Sequence, residues 1–433
     1  MTINLRNVSM FALMAFLFVI VGVFQSWSVS LAILNLCLIS AIMSLGVNIQ
    51  WGYAGLLNVG VMGFAALGGL AAILVSAPPV PDAWSAGGHL ILLAVLCMAI
   101  TITAIVFIYF RTGGLRRVWA ITAVGIVGYF CARYFFDPGV AAIERVDSAA
   151  TGFLGGLGMP IIFSWLVGGL FAAGAAWLVG KISLGLRSDY LAIATLGISE
   201  IIVAMLKFED WLTRGVKNVI GLPRPVPYEV DLQKSPYFQQ LAADWGMSVV
   251  DLSSLVVKLC YAGLFAVVLL VILYLSEKAL NSPWGRMMRA VRDNETAAEA
   301  MGKDVKGRHL QVFVLGSAVV GIAGAMLTTL DGQFTPSSYQ PLRFTFLIWV
   351  MVIVGGSGNN WGAVLGGFVI WFFWVEAEPL GLWLMDVITS GMAEDSPLRA
   401  HLLNSAAHMR LMTMGVILLL VLRFTPRGLI PER

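Results

Sequence analysis

Long apolar runs recur along the whole chain, with short polar stretches between them. A bilayer core takes roughly 20 helical residues per crossing, and most of the runs approach this length. They are continuous rather than alternating, which excludes a β-barrel, because only helices satisfy their own backbone in lipid at such lengths. We therefore predict an all-α, polytopic membrane helix bundle of about 10–12 transmembrane segments, forming one domain over 1–433. The candidate segments fall near 8–25, 29–48, 54–75, 89–110, 118–136, 153–180, 189–207, 253–276, 309–330, 344–355, 361–375 and 407–422.

Composition excludes a soluble enzyme, a secreted disulfide scaffold and a disordered tail. The chain is 59% hydrophobic and 12% charged, whereas an ordinary soluble domain is roughly 45–50% apolar and about 25% charged. The net charge of +3, without a basic tract interleaved with aromatic residues, argues against a nucleic-acid partner. The first apolar run has no small-residue cleavage site, so we interpret it as an uncleaved helix. The four cysteines lie inside apolar runs and are interpreted as packing residues.

Basic residues are distributed unequally between two sets of loops. One set holds 16 Lys and Arg residues and the other holds 7. By the positive-inside rule, the richer set lies in the cytoplasm. This predicts that both termini and the 277–308 loop are cytoplasmic and that the 208–252 loop is external. The external loop either docks a substrate-delivering protein or caps the helices.

Two candidate segments are too short for an ordinary crossing. They are 344–355 and 361–375, and they flank the glycine-rich stretch GGSGNN at 355–360. Either they are two tilted crossings, or they form a re-entrant pair that is buried against protein. Broken helices of this kind often line transport pathways. The candidate pathway residues in this stretch are Gly355, Gly356 and Gly358.

No catalytic constellation is present in the sequence. The four histidines form no metalloprotease motif, and there is no nucleophile elbow. A phosphate-binding loop is also missing, because the nearest approach has Ile182 where Ser or Thr is needed. We therefore predict no catalytic residue, no metal site and no cofactor on this chain. If the protein uses ATP, another chain must bind it.

The 277–308 loop contains a pattern of two short helices. In the first, arginines recur every three residues beside an apolar stripe, which is typical of a helix along a membrane surface whose arginines face headgroups or a partner. Asn294 can cap the second helix, Glu295 suits its first turn, and Gly302 can end it in the left-handed conformation. A solvated connector is the simpler alternative. The arginines are Arg286, Arg289 and Arg292, and the apolar stripe is Trp284, Met287, Met288 and Val291.

The stretch SPWGRMMRAVRDNETAAEAMG at 282–302 resembles the cytoplasmic loop of LivM-type permeases, the membrane subunits of bacterial branched-chain amino acid ABC importers. In that wider class, a loop with an EAA…G pattern docks on the ATPase subunit. Thr296 stands where the general pattern has Glu, and Gly302 is at the expected spacing. The residues that the resemblance assigns to ATPase coupling are Arg286, Arg289, Arg292, Glu295, Ala297, Ala298, Glu299 and Gly302.

Three further stretches carry the same resemblance in the family's order. They are WGYAGLLN at 51–58, SDYLAIATLGISEII at 188–202 and VIVGGSGNNWGAVLGG at 352–367. The outer loop departs from the family, because Arg214 and Asn218 stand where it is usually glycine-rich. The resemblance implies an ABC importer permease fold in a bacterial inner membrane. The implied partners are a second homologous permease, two ATPase subunits that bind ATP and magnesium, a periplasmic amino-acid-binding protein and the lipid bilayer.

Glu200 differs from the other acidic residues, because of 24 carboxylates only this one is predicted well inside a span. It lies eleven residues into the 189–207 segment, about 16 Å from the cytoplasmic end. An unpaired carboxylate there costs several kcal/mol, so it must meet water, a partner or a proton. A structural network and a place on the translocation pathway are both compatible with this position. Asn48 and Asn58 can likewise face a wet path or form interhelical hydrogen bonds.

These observations predict the membrane-spanning permease subunit of an ATP-driven importer for branched-chain amino acids, without chemistry of its own. The nearest alternative keeps the importer and changes the cargo to urea or short amides. A different class is a stand-alone secondary transporter that uses Glu200 as a proton or cation site. A membrane-embedded enzyme is discouraged by the lack of a catalytic cluster.

Overall fold

A computed structural model describes residues 5–147, 151–392 and 396–432. Within these ranges the chain is helical apart from connecting loops and two short antiparallel strands, β1 (Val219–Ile220) and β2 (Gln333–Phe334). A π-helical turn at Trp84–Gly88 joins α4 to α5. The helices are α1 Leu5–Phe24, α2 Trp27–Ala54, α3 Val61–Ser76, α4 Pro81–Ala83, α5 His89–Arg111, α6 Gly114–Arg145, α7 Ile162–Ser183, α8 Ser188–Phe208, α9 Asp210–Thr213, α10 Glu229–Lys234, α11 Pro236–Asp244, α12 Val249–Leu280, α13 Pro283–Asp293, α14 Glu295–Ala300, α15 Val305–Asp331, α16 Pro341–Gly355, α17 Asn360–Thr389, α18 Pro397–Ser405 and α19 Met409–Phe424.

The predicted polytopic helical bundle is confirmed. In the described part of the chain, nine helical stretches are long and apolar enough to cross a membrane, and α18 with α19, bent by 58°, makes a tenth if the pair is one span. Two further apolar helices, α3 and α16, are shorter. The predicted placement of the two termini concerns residues 1–4 and 433, which lie outside the described residues.

The prediction of a short segment over 361–375 is wrong, because α17 runs for 30 residues. The apolar run stops at Glu376, but the helix continues because this carboxylate is buried and accepts a hydrogen bond from Gln25 at 2.7 Å. Glu378, farther along α17, pairs with Arg410 of α19. Acidic residues therefore occur inside a second span, and Glu200 is not alone in this respect. The preceding helix α16 is short as predicted, with 15 residues or about 22 Å.

Two other predicted segments begin too early. Helix α3 begins at Val61 after an irregular stretch over 55–60, and α7 begins at Ile162 after an irregular stretch from 151. Both stretches are apolar enough to prolong a hydropathy run. Their glycines, among them Gly55 and Gly155 with φ of +69° and +75°, take conformations that end or interrupt helices.

Helix α2 lies at the centre of the bundle. In the most apolar 18-residue stretch of α2, 72% of the residues are buried within the described structure, whereas the corresponding share for α6 is 6%. It packs against α12, α15 and α17, while α5 and α6 pair with each other at the periphery. The exposed side chains of α5 and α6 are largely apolar, which suits lipid contact.

Helices α3, α7 and α15 approach each other through small residues. A Cβ added at Gly68 would collide with the Gly321 carbonyl, and one added at Gly324 would collide with the Ala65 carbonyl. Close backbone approach of this kind supports helix association where lipid gives no hydrophobic drive. The small residues of α3, α7 and α15 therefore form the contact surfaces between these helices.

The 277–308 loop and the stretch after α19, which the charge distribution assigns to the same side, meet at one end of the bundle, where Arg292 pairs with Glu432. We call the end that holds the 277–308 loop the inner end, and the opposite end the outer end. At the outer end, the loop over 208–252 folds into α9, α10, α11 and β1, and the Leu222 N–H donates to the Gly332 carbonyl at 3.1 Å. This part of the structure favours the capping role of the loop.

Candidate functional site

The 277–308 loop folds as two short helices, α13 and α14, as predicted. The Asn294 side chain accepts a hydrogen bond from the Ala297 N–H at 2.9 Å, so it is the predicted cap of α14. Glu295 occupies the first turn. Gly302 follows the helix with a φ of +75°, which is the predicted left-handed conformation.

The two helices turn an apolar side toward the protein and a polar side outward. Met288 and Val291 are buried, and Val291 clusters with Ala298 of α14. Glu295 and Glu299 are exposed. A groove of about 340 Å³ lies between the helices, with a lining that includes Met287, Ala290, Ala297 and Met301. An apolar groove beside exposed carboxylates is a surface that can receive another protein.

The three arginines of α13 have different surroundings. Arg286 is exposed and Arg289 is half-buried. Arg292 turns into the protein, where Nη1 donates to the Gly52 carbonyl and Nη2 lies 2.9 Å from Glu432 Oε2. The expectation that all three arginines face headgroups or a partner is therefore wrong for Arg292, because this guanidinium finds its hydrogen-bond acceptors within the chain.

The glycine segment, residues 355–360, joins α16 to α17 at the inner end. Gly355, Gly356 and Gly358 are buried. The backbone of the segment packs against a stretch near the end of the described chain, where the Ile430 N–H donates to the Gly355 carbonyl at 2.9 Å. The glycines thus pack against protein within this chain, and their place on a translocation pathway stays a prediction.

Asn48 and Asn360 form the centre of a buried polar network beside the glycine segment. Asn48 Nδ2 donates to Asn360 Oδ1 at 3.0 Å, and Asn48 Oδ1 accepts from the Gly358 N–H at 2.8 Å. Tyr53 Oη also donates to Asn360 Oδ1, at 2.5 Å, and Asn360 Nδ2 donates to Glu277 Oε1 at 3.1 Å. Asn48 is completely buried, so the interhelical hydrogen bond is found and the wet-path interpretation is not supported for this residue.

Asn58 stabilises the break between α2 and α3. Its Nδ2 donates to Gln50 Oε1 at 2.9 Å, and its Oδ1 accepts from the Gly60 N–H at 2.9 Å. Its carbonyl accepts from Trp349 Nε1, and the Val59 N–H donates to Thr195 Oγ1 at 3.1 Å. Irregular backbone at membrane depth needs such internal partners. Asn58 is 1% exposed, so it also acts in packing rather than facing an open path in this chain.

Glu200 lies on the exposed side of α8. The buried side of this helix, which includes Thr195 and Ser199, packs against Gly60 and Gly63 around the start of α3. Among the described residues, Glu200 has no hydrogen-bond or ion-pair partner. Of its two predicted roles, a network within this chain is therefore not found. The carboxylate points outward, where water or another subunit would meet it.

Sequence reasoning missed the residues that join the inner ends of the helices. Tyr53, Glu277 and Asn360 hold α2, α12 and α17 together, and Glu432 joins the end of the described chain to α13. The resemblance placed Tyr53 and Asn360 inside matching stretches, but their partners are distant in sequence. The sequence does show polar residues at the ends of the apolar runs. Their positions alone do not tell which of these residues form hydrogen bonds or ion pairs with each other.

The outer loop explains the two departures from the family pattern. Arg214 and Asn218 have φ values of +55° and +60°, in the region that glycine enters without steric cost. A glycine-rich loop would adopt this path easily. In this chain Arg214 and Asn218 adopt these conformations with side chains attached.

Among the described residues, no three His, Cys, Asp or Glu side chains come together as a metal ion would require.

Comparisons of the sequence with known proteins agree with one another, because the matches below are all to branched-chain amino acid transport permeases. A family model described as "Branched-chain amino acid transport system / permease component" matches residues 118–422. The chain is 28% identical over 286 residues to a probable branched-chain amino acid transport permease protein LivM of Methanocaldococcus jannaschii, covering 65% of this chain and 70% of the relative. It is 27% identical over 275 residues to the high-affinity branched-chain amino acid transport system permease protein LivM of Escherichia coli K12, covering 63% of this chain and 61% of the relative.

A shorter match, 32% identical over 111 residues, is to a probable branched-chain amino acid transport permease protein LivH of Methanocaldococcus jannaschii, covering 25% of this chain and 34% of the relative. The chain thus spans less than two thirds of the length of the Escherichia coli relative. No solved structure matches the chain significantly.

Proposed function

This chain belongs to the family of permease components of branched-chain amino acid transport systems, and we propose that it forms part of the translocation pathway of an ATP-driven importer for branched-chain amino acids. The cargo is inferred from the relatives, which are named as branched-chain amino acid transport permeases. The chain acts by changing conformation, and the hydrolysis of ATP belongs to separate subunits. We place the chain in a bacterial inner membrane with its inner end in the cytoplasm, and the 16 basic residues of that loop set support this orientation.

The observation that carries this proposal is the folded 277–308 loop at the inner end. A simple connector needs no apolar groove, yet α13 and α14 form one of about 340 Å³ beside the exposed Glu295 and Glu299. These features suit the docking of an ATPase subunit. Partners of this importer are two such ATPases carrying ATP and magnesium, a second homologous permease and a periplasmic binding protein that delivers the amino acid.

The mechanism couples two arrangements of the helix bundle. Met288 and Val291 anchor α13 in the protein, so movement of a docked ATPase displaces this helix together with the inner ends it touches. Nucleotide on one side and the loaded binding protein on the other then bias the equilibrium between outward-open and inward-open states. Each ligand acts only through its different affinity for the two states.

Glu200 is assigned to the surface that meets the second permease and the pathway. It points away from the buried side of α8, at a depth where lipid is a poor environment for a carboxylate. A water-filled path between two permeases supplies the solvation that lipid cannot. Gly355, Gly356 and Gly358, at the inner end, are assigned the role of a packed hinge between α16 and α17.

The test is reconstitution in liposomes of the chain with its second permease, ATPases and binding protein. Uptake of radiolabelled leucine should require ATP on the side of the membrane that holds the ATPase subunits. Unlabelled valine should compete with leucine for uptake, whereas urea should not. If urea or a short amide competes and valine does not, the importer carries urea or short amides instead of branched-chain amino acids. Leucine uptake by the chain alone, driven by a pH gradient, would contradict the proposal and favour a secondary transporter.

Variants in the loop test its docking role. Replacing Glu299 by Arg should reduce uptake and the ATP hydrolysis that the loaded binding protein stimulates, because the exposed carboxylate faces the proposed ATPase. Asp82→Arg is the matched control, since Asp82 is an exposed carboxylate in α4, outside both the 277–308 loop and the 208–252 loop. Equal effects of the two replacements would contradict docking at α14.

A further inference from the structure

The chain after α19 turns back across the inner end. Residues 425–432 lie along the glycine segment, where the Leu429 N–H donates to the Val354 carbonyl at 2.8 Å and the Ile430 N–H donates to the Gly355 carbonyl at 2.9 Å. Asn359 Nδ2 donates to the Pro431 carbonyl at 3.1 Å. Ile430 is 3% exposed. This stretch is therefore held against the glycine segment by backbone hydrogen bonds and by the buried Ile430 side chain.

The glycines of the 355–360 segment fit this crossing. Gly356 and Gly358 have φ values of +116° and +83°, which L side chains rarely adopt. A Cβ at Gly356 would collide with the Ile430 carbonyl, and a Cβ at Gly358 would lie 2.6 Å from Glu432 Oε2. The spacing of these glycines thus leaves the room that residues 425–432 occupy.

The same stretch reaches α13 through one ion pair. Glu432 Oε2 lies 2.9 Å from Arg292 Nη2, and the side chains are 27% and 24% exposed. Nη1 of the same guanidinium donates to the Gly52 carbonyl at the inner end of α2. The fork of Arg292 therefore joins three parts of the chain, α13, α2 and residues 425–432, and a lysine ammonium lacks the planar fork that makes both contacts.

Helix α13 needs such an attachment, because it has only 11 residues. Isolated helices of this length are marginal in water, so tertiary contacts decide its position. Met288 and Val291 hold its middle. Arg292, in its last turn, holds the end that leads to α14, which is the end beside the proposed ATPase surface.

We propose that residues 425–432 are a clasp that fixes the end of α13 to α2 and to the glycine segment, and that Glu432 is a positioning residue for coupling. The clasp rests on the proposed function, because it transmits the displacement of α13 to the hinge between α16 and α17. Without it, α13 moves with the ATPase while α2 and α17 do not follow. ATP hydrolysis then continues with little transport.

The experiment measures leucine taken up per ATP hydrolysed in the reconstituted complex. Glu432→Ala and Arg292→Lys should each lower this ratio at least about fivefold, the lower end of usual allosteric couplings. Glu432→Asp keeps the charge and should recover part of the ratio. Asp293→Asn is the matched control, because Asp293 also approaches Arg292, at 3.4 Å, but is 70% exposed. Its ratio should stay within about twofold of the wild type.

The outcomes separate the clasp from a purely structural role. If Glu432→Ala lowers uptake and ATP hydrolysis in equal proportion, less complex is folded and the clasp is overturned. A wild-type ratio for both Glu432→Ala and Arg292→Lys, in a complex that transports leucine, also overturns it while leaving the proposed function intact. If Glu432→Ala does not fold, the milder Arg292→Lys decides by the same ratio.

A second measurement does not depend on transport. In the full chain in lipid nanodiscs, the amides of 283–293 should exchange with deuterium at least about fivefold faster in Glu432→Ala than in the wild type, whereas Asp293→Asn should leave them unchanged. Equal exchange in all three proteins overturns the clasp. If the wild-type complex fails to use ATP for uptake, the proposed function falls, and faster exchange in Glu432→Ala still supports the attachment of α13.

Discussion

Asn48 of α2 and Asn360 of α17 form a side-chain hydrogen bond of 3.0 Å although 312 positions separate them in the chain. Both side chains are completely buried. Tyr53 and Glu277 bind the same Asn360 amide from α2 and α12, so one side chain connects three helices at the inner end.

Replacing Asn360 by Ala should destabilise the chain without changing its fold. The change removes three hydrogen bonds, those of Asn360 with Asn48, Tyr53 and Glu277, while the bond from the Gly358 N–H to Asn48 remains. Interhelical hydrogen bonds in membranes average about 0.6 kcal/mol each, so a loss of about 2 kcal/mol is expected. The measurement is the thermal unfolding midpoint in detergent, followed by size-exclusion chromatography.

Asn404→Ala is the control for this change, because Asn404 is exposed in α18. Its midpoint should equal that of the wild type within error. If Asn360→Ala unfolds at the same temperature as Asn404→Ala, the network contributes nothing to stability, and its role must be sought elsewhere.

The fold of the 277–308 loop could be predicted from sequence because its signals are local. Asn294 caps α14 and Gly302 ends it within a few residues, as side-chain chemistry and backbone freedom require. The contacts of Asn360 with Glu277 and of Arg292 with Glu432 could not be predicted in this way. They depend on how distant helix ends meet, which periodicity does not describe.

Hydropathy also failed where polar residues are buried. The apolar run of α17 stops at Glu376, but a donor from Gln25 allows the helix to continue through this position. Apolar residues before α3 and α7 gave the opposite error, because irregular backbone can be apolar when the protein itself supplies hydrogen-bond partners. Hydropathy reports the surroundings of a residue and does not define where a helix ends.

The small-residue contact between α3 and α15 gives the second prediction. Gly324→Ala should lower the unfolding midpoint, because the new Cβ would collide with the Ala65 carbonyl, and overpacking typically costs about 1–3 kcal/mol. Gly174→Ala in α7 meets nothing within 4 Å and should be neutral or stabilising by about 0.5–1 kcal/mol. Thermal unfolding of both variants checks the pair, and a lower midpoint for Gly174→Ala than for Gly324→Ala would contradict it.

The outer loop gives the third prediction. Asn218 has φ +60° and ψ 152°, a combination that is almost restricted to glycine and that costs about 1–3 kcal/mol in other residues. Asn218→Gly should therefore raise the unfolding midpoint, with a net gain of about 1 kcal/mol after the greater freedom of the unfolded chain is subtracted.

A helical asparagine provides the comparison for this change. Asn404→Gly should lower the midpoint slightly, since glycine is a poorer helix former by a few tenths of a kcal/mol. A lower midpoint for Asn218→Gly would mean that the side chain makes contacts that outweigh the backbone strain.

The last prediction concerns Glu200. Its replacement should affect transport without affecting the stability of the chain. Glu200→Ala should leave the unfolding midpoint of the isolated chain unchanged, since the carboxylate has no partner among the described residues. In the reconstituted importer it should reduce ATP-driven leucine uptake, because a carboxylate at this depth requires water or a second subunit. Ile201→Ala, at a neighbouring position that is 60% exposed, removes apolar surface without charge and should affect uptake less. If Glu200→Ala leaves uptake unchanged while the complex assembles normally, Glu200 is not on the pathway. The exposed side of α8 then does not face the pathway or the second permease.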